Sequence, residues 1–271
     1  MITDVLINGR VSDGRIPVTD SSVLRGDGCF EVLGCYDGRP FALDEHLDRL
    51  ENSAARLGID LPDRADLSRW VTDTATAAGD GAVRVVVTRG SSVPGVEHAS
   101  CVIVFGHPRD RGPDVATLLP TKAPWHAAGA EWELAGAKVT SYAPNMAASR
   151  RAHAAGYDDA LLLTLDETVL EGPTFSVAWV VDGVLETPTL DLGILDSITR
   201  RLVVEAAPGI GVEVEEGSWP LSRLDQASEV MVWSTIREVQ AVGAVGATRF
   251  TPGPVTQDLA GLFAKLVAES G

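Results

Sequence analysis

Apolar residues fall in two rhythms along the first hundred positions. Val5-Leu6-Ile7, closed by Asn8-Gly9 and followed by Val11, reads as a strand entering a tight turn, because Asn-Gly supplies the positive φ that a two-residue turn needs. From Asp44 the spacing lengthens. Leu47, Leu50, Ala54 and Leu57 recur every three or four residues, which predicts a helix with Asp44 as N-cap and Gly58 as stop. A second helix is predicted over 66–78. The short continuous apolar runs 82–88 and 101–105 predict buried strands.

The polar stretch Gly106-His107-Pro108-Arg109-Asp110-Arg111-Gly112-Pro113 breaks the pattern. It predicts a linker over 109–115 between a domain over 1–108 and a larger one over 116–271. Beyond it, strands are predicted over 160–165, 177–181 (turning at Asp182-Gly183) and 229–234. Helices are predicted over 146–155, 198–207 and 255–269, the last with Leu259, Leu262, Phe263, Leu266 and Val267 on one stripe. Strands and helices mix without a steady βα alternation, and neither GxGxxG nor GxxxxGK[ST] occurs. The class expected is α+β in two domains.

Composition narrows the partners. The net charge is −16, with 45% hydrophobic and 22% charged residues. That balance is globular, and an acidic surface disfavours nucleic acid and anionic membrane. An anionic ligand would then need local arginines or helix N-termini. Three cysteines without a CxxC suggest neither a disulfide framework nor a zinc site, which fits a cytoplasmic protein. The segment MITDVLINGRVSDG lacks the basic, apolar pattern of a leader. No apolar run approaches a membrane span.

Lysine is scarce: Lys122, Lys138 and Lys265 stand against nineteen arginines. A chain that writes arginine for ordinary surface charge keeps lysine where an amine is needed, because an amine can form a Schiff base and a guanidinium cannot. Lys265 falls on the polar side of the last helix. Lys122 follows an apolar strand and reads as a rim residue. Lys138 lies in the polar turn GAKVTSYAPNM, where the residues alone allow either a surface lysine or a displayed catalytic one.

The order of four motifs decides for chemistry. Lys138, Tyr142 and Asn145 form the first. Glu171-Gly172 follows in LEGP, then LDSITRRLVVEAA, then VMVWSTIREV. Together they resemble the fold-type IV (class IV) pyridoxal-phosphate enzymes, which include D-amino acid and branched-chain aminotransferases and aminodeoxychorismate lyases. The resemblance covers nearly the whole chain. It implies a small N-terminal α/β domain and a larger domain with a mixed, barrel-like sheet and flanking helices. It also implies pyridoxal 5'-phosphate as cofactor and a homodimer whose active site is shared across the interface.

Roles follow from the resemblance residue by residue. Lys138 would form the imine and carry the proton. Glu171 would hold the pyridine nitrogen protonated, and Tyr142 would hydrogen-bond the phenolic oxygen. The phosphate would meet Ser197, Ile198 and Thr199 at a helix N-terminus, Ser234 and Thr235 after a strand, and Arg49 in HLDRL. Read without the resemblance, Arg49 could equally pair with Glu45 one turn back, Tyr142 could be half-buried packing, and Glu171 an acid before a glycine turn. For the substrate, Arg25 in the loop SVLRGDGCFE, Arg84, Arg89, Phe30 and Trp233 are candidates. Arg84 and Arg89 fall on opposite faces by strand parity, and structural ion pairing is open for each.

The chain departs from the family pattern at Phe175-Ser176, where Ser-Asn is common, at Ser197, where glycine precedes the helix, and at Trp233-Ser234-Thr235, where Thr-Gly-Thr is common. These positions bear on substrate more than on cofactor. The activity expected is transamination between an amino acid, with D-amino acids favoured by the LRGDG loop, and a 2-keto acid. The alternatives are 4-amino-4-deoxychorismate cleavage to pyruvate and 4-aminobenzoate, branched-chain L-amino acid transamination, and a scaffold that has lost catalysis.

Overall fold

The computed structural model describes residues 2–270. The chain forms two compact units. The first runs to Arg109 and takes in Ala137–Tyr142; the second comprises Asp110–Gly136 and Ala143–Glu269. The short segment around Lys138, placed with the larger domain by the sequence pattern, thus groups with the first unit.

The first unit is a six-stranded antiparallel sheet with two helices on one face. Its strands are β1 (Val5–Ile7), β2 (Arg10–Ser12), β3 (Gly28–Tyr36), β4 (Arg39–Pro40), β5 (Ala82–Thr88) and β6 (Val102–His107), in the order β2-β1-β6-β5-β3-β4. A short helix α1 (Ser21–Arg25) precedes β3, and α2 (Leu43–Leu57) and α3 (Arg64–Ala78) lie between β4 and β5. Leu47, Leu50 and Ala54 of α2 and Leu67, Val71 and Ala75 of α3 pack against Leu33, Val83, Val85, Val87, Val102 and Val104. Alternation along β5 therefore sends Val83, Val85 and Val87 into this core. Arg84 and Val86 go to the other face, which they share with their cross-strand partners Val32 and Phe30.

Three expectations change here. Helix α2 begins at Leu43 behind Ala42 in the left-handed region (φ 53°), with no side-chain cap. Asp44 instead sits in the first turn, where a carboxylate still favours the helix dipole. Helix α3 begins at Arg64 rather than at 66. The stretch read as a loop over 22–31 is α1 followed by the first residues of β3. It escaped the pattern because Glu31 occupies a core-facing position, opposite Val85, and so breaks the apolar alternation.

The second unit is a mixed eight-stranded sheet. Its strands are β7 (Val115–Lys122), β8 (Asp159–Leu163), β9 (Ser176–Val181), β10 (Val184–Pro188), β11 (Val214–Gly217), β12 (Glu229–Ser234), β13 (Glu238–Val245) and β14 (Thr248–Arg249). They run β11-β10-β9-β12-β13-β7-β8, with β14 on β13. The pairs β10–β11, β13–β7 and β7–β8 are parallel and the others antiparallel. Leu118, Leu161, Val177, Trp179, Val230, Val232 and Val242 fill one face. Helix α4 (Ala143–Ala154) buries Ala148 and Ala152 against Ala160 and Leu162 of β8. Helix α5 (Ile198–Ala206) and helix α6 (Pro254–Glu269) contribute Val203, Leu259 and Phe263 to the buried set. Helix α4 starts three residues before the expected 146. Among the described residues no helix is long and apolar enough to cross a membrane.

Candidate active site

In the first unit the residues 137–142 run beside β3. Val139 bridges Cys29, Phe30 N–H donates to the Lys138 carbonyl (3.0 Å), and Thr140 N–H donates to the Gly28 carbonyl (2.8 Å). On the other side the Lys138 N–H donates to Ser53 Oγ of α2 (3.1 Å), and Thr140 Oγ1 donates to the Gly26 carbonyl (2.8 Å). Lys138 is therefore held by its backbone in a segment that is neither helix nor strand.

Its side chain joins an aromatic pair. Lys138 Nζ lies 4.5 Å from the Phe30 ring centroid and 5.7 Å from that of Tyr142. The two rings meet edge to face at 5.2 Å. Such faces attract a cation while offering no acceptor for its protons. The Arg84 guanidinium lies 5.6 Å from the same Phe30 ring. Among the described residues Arg84 has no carboxylate partner, and burial pushes its pKa below the usual arginine value.

The other arginines proposed for substrate are differently engaged. Arg25 donates to Ser92 Oγ (2.9 Å) at the surface. Arg89, one residue beyond β5, forks onto Asp27 Oδ2 (2.5 Å) and the Leu57 carbonyl (2.5 Å). Only Arg84 shares a sheet face with Phe30.

On the opposite, core-facing side Glu31 is buried and fully occupied. Arg49 of α2 holds both of its oxygens, Nε to Oε1 at 2.7 Å and Nη2 to Oε2 at 2.8 Å. His46 Nδ1 lies 2.8 Å from Oε2. Burial alone would raise the Glu31 pKa, but Arg49 and His46 together hold it far below the usual carboxylate range. Burial pulls His46 below its ordinary value despite the Glu31 bond. A neutral His46 then donates Nδ1–H to the carboxylate. This cluster is what the sequence pattern missed: Glu31, His46 and Arg49 are three polar residues on faces that are otherwise apolar, and that conflict was the available signal. Nearby, burial and then Glu31 push the Cys29 thiol up to about 12, and burial pushes Cys35 up to about 11. Burial also raises the thiol of Cys101.

The second unit gathers the anion-binding candidates. Glu171 follows the short bridge Leu163–Val169, and its carboxylate accepts the Leu195 N–H at 3.3 and 3.4 Å. Two residues on, Ser197 caps α5: its φ is −71°, its ψ is 126°, and its hydroxyl accepts the Arg200 N–H. Ile198 and Thr199 are the first helical residues and both are buried. First-turn amides have no partner within their own helix, and with the helix dipole they favour an anion. After β12, Ser234 Oγ accepts the Arg237 N–H (3.0 Å) and Thr235 begins the turn. Hydroxyls and a helix N-terminus form a donor set suited to phosphate, so these residues fit the expected cofactor. Trp233 is fully buried, opposite Ser176 in the β9–β12 register; its indole N–H and the Ser176 hydroxyl have no hydrogen-bond partner among the described residues.

Of the other two lysines, Lys122 is half exposed and pairs with Glu167 (3.2 Å), and Lys265 is exposed on α6.

Comparison with known proteins points the same way. The sequence model of the family described as amino-transferase class IV matches residues 28–245. A Methanocaldococcus jannaschii protein named for branched-chain amino-acid transamination is 32% identical over 253 residues, covering 88% of this chain and 86% of that one. A bifunctional aminodeoxychorismate lyase and D-amino acid transaminase from Mycobacterium tuberculosis is 29% identical, covering 97% of this chain and 96% of its own length. The PLP-bound form of a hypothetical aminotransferase from Mycobacterium tuberculosis superposes with a TM-score of 0.90 at 26% identity, covering 99% of this chain and all of that one.

Proposed function

Because the chain belongs to the class IV aminotransferases, we propose that it is a pyridoxal-phosphate enzyme that moves the amino group of a D-amino acid to a 2-keto acid, with Lys138 as its amine. The observation that carries this reading is the pairing of Lys138 Nζ and the unneutralised Arg84 on one aromatic ring, Phe30. It puts a base and a carboxylate binder on the same side of one sheet. Pyridoxal phosphate supplies an aldehyde that condenses with amines and a ring that accepts the electrons released at the substrate Cα.

The chain's own residues do the rest. Lys138 Nζ would take the proton from the substrate Cα as general base and, as general acid, deliver it to the carbon that receives the amino group. Its fixed backbone keeps Nζ near its partner through the exchange. Glu171 would keep the pyridine nitrogen protonated. The first turn of α5, with Ser197, Ile198 and Thr199, and the turn at Ser234 and Thr235 would hold the phosphate. Tyr142 would hydrogen-bond the phenolic oxygen. Arg49, which the family resemblance assigns to the phosphate, holds both oxygens of the buried Glu31 carboxylate.

Arg84 receives the substrate carboxylate. Arg84→Met is expected to raise KM by about 10- to 100-fold, the value of one charge-assisted hydrogen bond pair. The same change removes a partly buried, unpaired charge, so the melting temperature of the substrate-free protein should stay level or rise. Steady-state kinetics and a thermal melt read the two effects. A KM that does not move would transfer the carboxylate to another residue.

The D-amino acid lean draws on the LRGDG loop and on the Mycobacterium tuberculosis relative with D-amino acid transaminase activity in its name. A homodimer is part of the reading: Val18, Val23 and Leu24, at and beside α1, are exposed and apolar. The branched-chain and lyase relatives keep two other substrates in the test. The holoenzyme should convert from its yellow form to the pyridoxamine form on addition of D-alanine without keto acid. Conversion by L-leucine alone would make it a branched-chain enzyme. Release of 4-aminobenzoate from aminodeoxychorismate, with no keto acid present, would make it the lyase.

A further inference from the structure

Strands β12 and β13 are joined by only three residues, Thr235 to Arg237, with Ser234 and Glu238 facing each other in register. Glu238 has a φ of 56°, the left-handed residue that closes a three-residue hairpin loop. Two ion pairs flank the turn. Arg111 Nη2 lies 2.6 Å from Glu238 Oε1, and Arg237 Nη2 lies 3.0 Å from Asp159 Oδ2. Asp159 cannot swing to follow, since it is buried and also accepts from Ser149 Oγ (2.7 Å) and Ala160 N–H (2.9 Å).

The rest of the Arg237 side chain is equally committed. Nη1 donates to Gln240 Oε1 (3.0 Å), and the guanidinium carbon lies 4.8 Å from the Phe175 ring centroid. That ring in turn lies against Gly172, where an added Cβ would come within 2.1 Å of it. Gly172 follows Glu171. The backbone N–H of Arg237 donates to Ser234 Oγ, which leaves the hydroxyl proton of Ser234 to donate elsewhere. One guanidinium thus fixes the turn that carries Ser234 and Thr235.

We propose that Arg237 is a positioning residue for the cofactor: clamped between Asp159, Gln240 and Phe175, it sets the Ser234–Thr235 turn at the geometry that receives the phosphate. The proposal rests on the assignment of Ser234 and Thr235 to the phosphate. Its signature is selective. Loss of the clamp weakens the hold on the phosphate group and leaves recognition of the pyridine ring unchanged.

The test strips the holoenzyme of cofactor and titrates wild type, Arg237→Met and Arg237→Lys with pyridoxal phosphate and with unphosphorylated pyridoxal, reading tryptophan fluorescence. Arg237→Met should bind pyridoxal phosphate about tenfold more weakly, one hydrogen bond's equivalent, with pyridoxal binding unchanged. Arg237→Lys, which keeps the charge beside Asp159 but not the two-armed span, should fall between. Equal weakening toward both ligands, or no change toward either, overturns the proposal. Should Arg237→Met not fold, Asp159→Asn keeps an acceptor for Ser149 Oγ and Ala160 N–H but removes the charge that holds Arg237, and is read by the same two titrations. Ser234→Asp separates the two ideas by placing a carboxylate where the phosphate is assigned. If that variant still prefers pyridoxal phosphate to pyridoxal, the phosphate assignment itself fails. If it loses the preference while Arg237→Met keeps it, only the role of Arg237 fails.

Discussion

Lys138→Ala is expected to lower turnover by about 10³-fold or more, because it removes the amine proposed to move the Cα proton. Lys138→Arg should be no better. A guanidinium stays protonated at any working pH and does not condense with an aldehyde. The fold should survive both changes, since Lys138 is fixed by backbone bonds to Phe30 and to Ser53 that an alanine or arginine can still make. Cofactor should remain in part, held by the contacts proposed for its phosphate. Borohydride reduction followed by denaturation makes the check: it should leave cofactor covalently attached to the wild type and none attached to either variant. Activity within tenfold of wild type would remove Lys138 from the chemistry.

Glu31→Ala is expected to cost about 3–5 kcal/mol, the usual consequence of deleting one partner from a buried ion pair. In a chain of this size that is a fall of about 10 °C in melting temperature. The argument is one of compensation. Glu31 is 1% exposed and satisfies Arg49 through two bonds and His46 through a third, so its removal takes three hydrogen bonds and a negative charge out of a core of leucine and valine. Differential scanning calorimetry would decide, and a shift below a degree or two would mean the cluster relaxes or hydrates freely. The same cluster predicts acid sensitivity with a definite sign. The Glu31 pKa is depressed by folding, so its stabilisation is present above the ordinary carboxylate range and is lost as pH falls through it. The His46 pKa is also depressed, so the unfolded chain takes up a proton near the ordinary histidine value that the folded chain refuses. Both contributions therefore weaken the wild type progressively below neutrality, and Glu31→Ala should flatten the carboxylate part of that profile.

Much of the architecture was legible because it rests on periodicity. The stripe Leu47, Leu50 and Ala54 predicted α2, and the apolar runs around Val85 and Trp179 predicted β5 and β9, all of which bury those residues. What escaped did so for identifiable reasons. Strand β3 hides behind Glu31, whose burial depends on two partners on another element. Strand β13 carries Gln240 and Gly243 among small residues. Gln240 is buried because its amide reaches the Arg111 and Pro113 carbonyls, bonds no local pattern announces. The grouping of residues 137–142 with the first unit depends on backbone pairing to β3 across a long stretch of chain, and pairing of that kind leaves no trace in composition. The candidate chemistry was readable where residue type alone carries it, as with the scarcity of lysine. It was not readable where it turns on a missing partner. Strand parity sets Arg84 and Arg89 on opposite faces, but that Arg84 meets Phe30, and that no carboxylate among the described residues neutralises it, are properties of the folded surroundings.

The cysteines of this protein lead to a last point. Cys29 lies directly beneath the lysine segment and Cys35 further along the same strand, both sealed in the core, and all three thiols are raised above their ordinary value. Peroxides and alkylating agents react with thiolates, and at neutral pH this chain presents almost none. The sulfur beneath the lysine segment is therefore a poor target for such reagents, and oxidants or alkylators that reach this protein must act on it elsewhere.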